Sequence, residues 1–239
     1  MTLPKVAIII PHHRGIHPVL QWMASGGFTY RNVTTLIRQD PYGHTKPATY
    51  KEVYERCSAN REALRQRILK ESDADWILSL DSDVLPPPDV IERLLKTASD
   101  KRLTKRNLDC VGGWIPLKGK TTLIGMDRET GKEVSRNVVQ RYIAGLVTDD
   151  GKFAYYDAPR DYKTAPSDIA PLGCCLIRRE LLERIPFESG CLPDQTMLEH
   201  PSGDRMWWGE CLAFGLRAKE HGERVGLARD VICQHVNLN

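Results

Sequence analysis

"WILSLDSDVLPPPD", residues 76–89, decides the fold. Residues 76–80 carry no alternating polar face, which marks a strand buried on both sides, as in a parallel sheet. Asp81 and Asp83 follow directly, and a buried strand gains nothing from ending in two acids unless a cation meets them. Pro86, Pro87 and Pro88 cannot extend the strand. Asp89 and Glu92 have the spacing of a capping box. Val90, Ile91, Leu94, Leu95 and Ala98 then recur at helical spacing. The acidic pair is therefore expected on a strand-to-helix connection, at the carboxyl edge where open α/β sheets bind ligands. With one residue between them on an extended end, both side chains are expected to point to the same side.

Outward from this stretch, strands and helices alternate. Residues 6–10 read as a β-branched strand closed by Pro11, with "PHHRG" as the loop after it. Tyr50, Val53, Tyr54, Cys57, Leu64 and Ile68 mark one face of a helix over 49–70. Residues 108–114 read as another strand, and 169–187 as a strand turning into a short helix. A helix is expected between Gly209 and Gly222, and one or two strands over 225–236. The stretch 115–165 reads as irregular, with a hairpin about "DDGK" at 149–152. This alternation argues for an α/β fold with a mostly parallel, Rossmann-like sheet flanked by helices.

Composition narrows the class. Hydrophobic residues make up 41% of the 239 and charged ones 27%, an ordinary globular balance that excludes a disordered or fibrous chain. The apolar run at 6–10 is too short for a membrane span or a signal-peptide core. A cytoplasmic protein with no membrane span is the expectation. Seven cysteines in no regular framework are expected to be free thiols, and no C-x-x-C pair supports a zinc site at Cys233 and His235. The net charge of +3 hides an excess of +6 between Lys101 and Arg141, which is either a solvated face or a landing surface for an anionic partner.

The first strand-to-helix turn limits the ligand. "IIIPHHRG" is neither the Gly-rich dinucleotide fingerprint nor a P-loop. A nucleotide bound here needs another positive charge for its phosphates, and a divalent metal on Asp81 and Asp83 would supply it.

Taken in order, "VAIIIPHHRG", "WILSLDSDVLPPPDVIERLL", "APLGCCLIRRELLERIPF", "GECLAFGLRAKEHGERVG" and "VICQHV" resemble the nucleotide-sugar glycosyltransferases of GT-A type, close to glycosyltransferase family 2. The resemblance spans residues 5–236, with 115–168 unaligned. It implies a single glycosyltransferase domain over 1–239, with residues 1–110 binding the nucleotide sugar and 111–239 the acceptor. It also implies a sheet of GT-A type and transfer from a UDP- or GDP-sugar to an acceptor hydroxyl, with Mn2+ or Mg2+ as cofactor.

By the same resemblance, Asp83 of the D-x-D motif ligates the metal, and Asp81 reaches the ribose or shares the metal. His235, near the end of the last core strand, is a metal ligand. Pro11, His12 and Arg14 cradle the nucleotide, although the histidines read equally well as solvated loop residues. Asn60 and Arg61 fall on the apolar face of their helix, where a buried guanidinium must be paired. They are either directed to the donor site or, for the arginine, snorkelling at a helix edge. Glu210 is the candidate catalytic base, with Asp204 behind it. Cys211 stands where the family carries a second acid, which leaves the identity of the base open. Trp114, Trp207 and Trp208 are candidate stacking faces for the acceptor, or core residues. The basic stretch favours an anionic acceptor, with a glycan and DNA as the alternatives. Two further readings stand beside this one: a nucleotidyltransferase, and a non-catalytic module for an anionic polymer.

Overall fold

The computed structural model describes residues 3–12, 18–39, 50–100, 108–116, 121–126, 133–139, 141–147, 153–157, 165–189 and 209–236. Its first half runs β1 (Val6–His12), α1 (Pro18–Ala24), β2 (Val33–Gln39), α2 (Tyr50–Glu71), β3 (Trp76–Leu80), β4 (Val84–Leu85), α3 (Val90–Ala98) and β5 (Cys110–Trp114). Two hairpins follow, β6 (Thr121–Met126) with β7 (Glu133–Val139), and β8 (Arg141–Val147) with β9 (Phe153–Asp157). The rest comprises β10 (Ala165–Ser167), β11 (Cys174–Arg178), α4 (Arg179–Arg184), α5 (Glu210–Glu220), β12 (Val225–Ile232) and β13 (Gln234–His235).

Seven strands form one sheet in the order β10-β12-β5-β11-β3-β1-β2. The pairs β1/β2, β1/β3 and β5/β12 are parallel, whereas β11 runs antiparallel to both β3 and β5, and β10 antiparallel to β12. The fold is thus α/β with a mixed sheet, which corrects the mostly parallel expectation. The reason is local: β11 enters at Cys174 opposite Leu80, where β3 ends. Strand β3 itself is buried at all five positions, as its lack of an alternating polar face requires when helices cover both faces of the sheet.

Alternation along the strands sorts the core into two layers. Ile8, Ile10, Leu78, Leu80 and Val111 pack with Val19 of α1 and with Val90, Ile91 and Leu94 of α3. Ala7, Ile9, Ile77, Cys110 and Cys175 pack with Leu64 and Ile68 of α2, Leu181 of α4 and Phe214 of α5. Cys57, Cys110, Cys174, Cys175, Cys211 and Cys233 are all free thiols.

Several details depart from the sequence reading. Strand β1 continues through Pro11 to His12 instead of closing at the proline. Beyond Ile9 only β2 still pairs with it, in register Pro11 to Arg38, so the missing proline N–H interrupts no inner ladder. Asp89 makes no capping hydrogen bond and instead pairs with Arg93 at 2.8 Å, while Glu92 Oε1 accepts from the Thr29 hydroxyl at 2.7 Å. Within 115–165 the described residues form the pairs β6/β7 and β8/β9 instead of an irregular run, while residues 149–152, where a hairpin turn is expected, lie outside the described residues. Among the described residues no helix is long and apolar enough to cross a membrane.

Candidate active site

The carboxyl ends of β1, β3, β5 and β12 lie along one edge of the sheet, as their parallel registers require. From β1 the chain crosses to β2 on one side, and from β3 it proceeds through α3 to β5 on the other. Neighbouring strands whose connections part in this way leave a crevice at their carboxyl ends. Asp81, Ser82 and Asp83 sit on its lip. They form a turn closed by Val84 N–H donating to the Asp81 carbonyl at 3.1 Å. A turn does not keep the two-residue alternation of a strand, so the two carboxylates take separate partners instead of sharing one side.

Asp81 belongs to a buried ionic network. The Arg61 guanidinium donates through Nη2 to Asp81 Oδ1, through Nη1 to Glu210 Oε1 at 2.6 Å, and through Nε to Ser79 Oγ at 3.3 Å. Burial works against its charge, but the Asp81 and Glu210 carboxylates outweigh that cost and hold it protonated beyond the usual arginine range. Arg61 is therefore no edge arginine with its head in water: its side chain is 3% exposed. Three segments far apart in the chain meet on it, namely α2, the end of β3 and the first residue of α5.

Gly173 brings the loop before β11 against this network. Its carbonyl accepts from Asp81 N–H at 2.9 Å. A Cβ at Gly173 would lie 2.7 Å from Asp81 Oδ2, so any larger residue there would have to push the carboxylate aside. The Cys211 thiol lies beside the network and is pushed well above its usual range, first by burial and then by Glu210. It stays protonated at physiological pH.

Asp83 meets His235. Strand β13 pairs antiparallel with β4, His235 opposite Val84, and Val236 N–H donates to the Asp83 carbonyl at 2.8 Å. The ring Nδ1 lies 2.8 Å from the Pro116 carbonyl and must donate to it, because a carbonyl oxygen only accepts. Nε2 then lies 3.5 Å from Asp83 Oδ2, and in the neutral ring it carries the lone pair. Two lone pairs face each other unless a cation, proton or metal, stands between them. The carbonyl behind the ring is the kind of support that fixes metal-binding histidines.

Of the residues singled out in the sequence, the structure joins Asp81 with Arg61 and Glu210, and Asp83 with His235. Asp81 is engaged by Arg61 rather than grouped with the other pair, and among the described residues no three metal-donor side chains cluster. Asn60 is fully buried, and neither its amide nitrogen nor its oxygen has a hydrogen-bond partner among the described residues. Pro11 is buried in β1, and His12 ends that strand at the crevice. Of the two alternatives for Trp114 the core one holds: it is 2% exposed, edge-on to Tyr142 at 5.7 Å and packed with Ala144 and Leu227. Arg14, Asp204, Trp207, Trp208 and the basic residues 101–107 lie outside the described residues. Sequence reading missed Ser79 and Gly173. A serine inside an otherwise apolar strand was the available signal for the first.

Comparisons with known proteins bear on the fold alone. No family model matches the chain, and no curated protein does. Among solved structures, the chain is similar to that titled "Crystal Structure of A197 from STIV", with a TM-score of 0.54 and 14% identity, over 98% of this chain and 86% of that one.

Proposed function

We propose that this chain is a metal-dependent glycosyltransferase of GT-A type, moving a sugar from a nucleotide-diphosphate sugar to an acceptor hydroxyl. The observation that carries the reading is the Asp83–His235 pair at the crevice, with Nε2 facing the carboxylate at 3.5 Å while Nδ1 is held by the Pro116 carbonyl. A carboxylate beside an imidazole suits Mn2+, and Mg2+ as well when diphosphate oxygens complete the set. Bound there, the ion would neutralise the leaving diphosphate.

The remaining parts follow from what each residue can do. Asp81, with Oδ1 on Arg61 and a third of its side chain exposed, presents a carboxylate of fixed orientation to a ribose hydroxyl. Asn60, one residue from Arg61, is a buried amide with no hydrogen-bond partner among the described residues, and such groups call for a partner. His12 ends β1 at the same crevice, where a nucleotide would lie. The acceptor would enter from the side of β5 and the loop after it, and the anionic acceptor, glycan or nucleic acid, belongs to this same proposal.

The test is a thermal-shift screen of the protein with manganese or magnesium, alone and with uridine and guanosine diphosphates. Stabilisation by nucleotide that requires the metal is expected, since a ligand bound only to the folded state raises its stability by mass action. Mass spectrometry of products from a panel of UDP- and GDP-sugars then identifies the donor. No metal-dependent shift with any nucleotide would refute the reading.

A further inference from the structure

Glu210 opens α5 at the crevice, which makes it the obvious candidate for a proton acceptor. Its surroundings assign it another task. Its side chain is 9% exposed, against 33% for Asp81, and Arg61 stands between the two with hydrogen bonds to both. The network therefore has an open end at Asp81 and a closed end at Glu210. A base must reach the hydroxyl that it deprotonates, within hydrogen-bond distance or through one water. Glu210 instead spends Oε1 on a guanidinium at 2.6 Å. Its neighbour Cys211 holds its proton and cannot take over.

We infer that Glu210 is a positioning residue: it fixes the Arg61 fork, and through it the orientation of the Asp81 carboxylate. The inference rests on the glycosyltransferase reading of the site. The geometry explains why the fork is needed. One guanidinium serves Ser79, Asp81 and Glu210 with three different nitrogens, and a planar fork held at two points leaves the third direction fixed. Without Glu210, Arg61 keeps its charge partner in Asp81 but loses the anchor that sets its plane. The carboxylate on the crevice then gains freedom that nucleotide binding must remove. Glu210 would bear on the sugar nucleotide only through two other side chains, with no proton transferred.

The experiment compares Glu210→Ala, Glu210→Gln and Arg61→Lys by calorimetric titration with Mn2+ and uridine or guanosine diphosphate, alongside turnover of the sugar nucleotide that the wild type accepts. Glu210→Gln keeps an oxygen that accepts from Arg61 Nη1, and its dissociation constant should rise only about threefold. Glu210→Ala and Arg61→Lys should weaken binding by about 10–100-fold, the range for lost support behind a ligand-binding group. Should Glu210→Ala fail to fold, the other two variants carry the comparison. A Glu210→Gln variant that binds nucleotide like the wild type but loses about 10²–10⁴-fold in turnover would identify a base and overturn the inference. So would Glu210→Ala and Arg61→Lys variants that melt earlier yet bind with unchanged affinity, which is a purely structural role. Failure of the wild type itself to bind any nucleotide overturns the underlying reading instead, and this role falls with it.

Discussion

Replacing Gly173 by alanine tests whether the position of the Asp81 carboxylate matters. The new Cβ would lie 2.7 Å from Asp81 Oδ2 and 3.0 Å from Ile115 Cδ1, where ordinary contact begins at 3.4 Å. The oxygen must therefore retreat by about 0.7 Å. It cannot do so by turning alone, because Oδ1 is held by Arg61 and the Asp81 N–H is bonded to the Gly173 carbonyl. The whole carboxylate has to swing outward toward solvent, away from the guanidinium. Overpacking costs about 1–3 kcal/mol, and the exposure of Asp81 puts this case at the lower end, near 1 kcal/mol. A displacement approaching 1 Å in a positioned group costs up to about 100-fold in function. We expect about tenfold in nucleotide affinity, which is about 1.4 kcal/mol. Gly226→Ala is the control. Its Cβ would meet Leu108 Cδ1 at 2.5 Å, a similar intrusion, but in β12 one residue from its start at Val225 and so away from the crevice edge. Urea denaturation should show a comparable loss of stability in both variants, and calorimetric titration with Mn2+ and nucleotide should show weakened binding in Gly173→Ala alone. Wild-type affinity in Gly173→Ala, or an equal loss in Gly226→Ala, would refute the reasoning.

Asp83→Ala should abolish metal-dependent nucleotide stabilisation in the thermal-shift screen while leaving the melting temperature of the metal-free protein nearly unchanged, since a carboxylate on a turn adds little to the core. His235→Ala should weaken Mn2+ binding about 10–100-fold; unfolding with metal affinity intact would show that the imidazole serves only the β13–β4 packing. Phe214→Ala should cost about 3–5 kcal/mol in denaturant unfolding, because the ring is fully buried and stacked on Phe187 at 5.2 Å. A loss under 1 kcal/mol would mean that the layer beneath α5 collapses around the cavity.

The sequence showed its periodic elements clearly and hid the rest for identifiable reasons. Residues 76–80, the long helix through Cys57 and Leu64, and the helix after Gly209 carry strong apolar patterns, and each lies within a residue or two of its reading. Helix α1 and strand β2 carry no such pattern: α1 is only seven residues long, and β2 lies at the sheet edge with Ile37 exposed, so neither needs a continuous apolar signature. The reversed direction of β11 left no local trace, since an apolar strand buried on both faces looks the same in either orientation. At the site, the paired acids and the misplaced Arg61 announced themselves as violations of pattern. Which acid Arg61 would take did not, because that depends on how distant segments pack. Trp114 is the opposite case: tryptophan serves equally as core and as platform, and only its neighbours decide.

The Arg61–Glu210 bond joins residues 149 positions apart, and the His235–Pro116 bond spans 119. Closing loops of that length costs chain entropy before any contact returns it, so long-range pairings of this kind set the pace of folding. No early hairpin or isolated helix of this chain can assemble the crevice. It exists only after α5 and β13 have docked onto a sheet whose first strands come from the opposite half of the polypeptide. A ligand of the crevice would therefore bind the finished protein and none of its precursors. It would slow unfolding and draw late intermediates to completion, so the rate at which binding competence returns during refolding measures the last step of assembly.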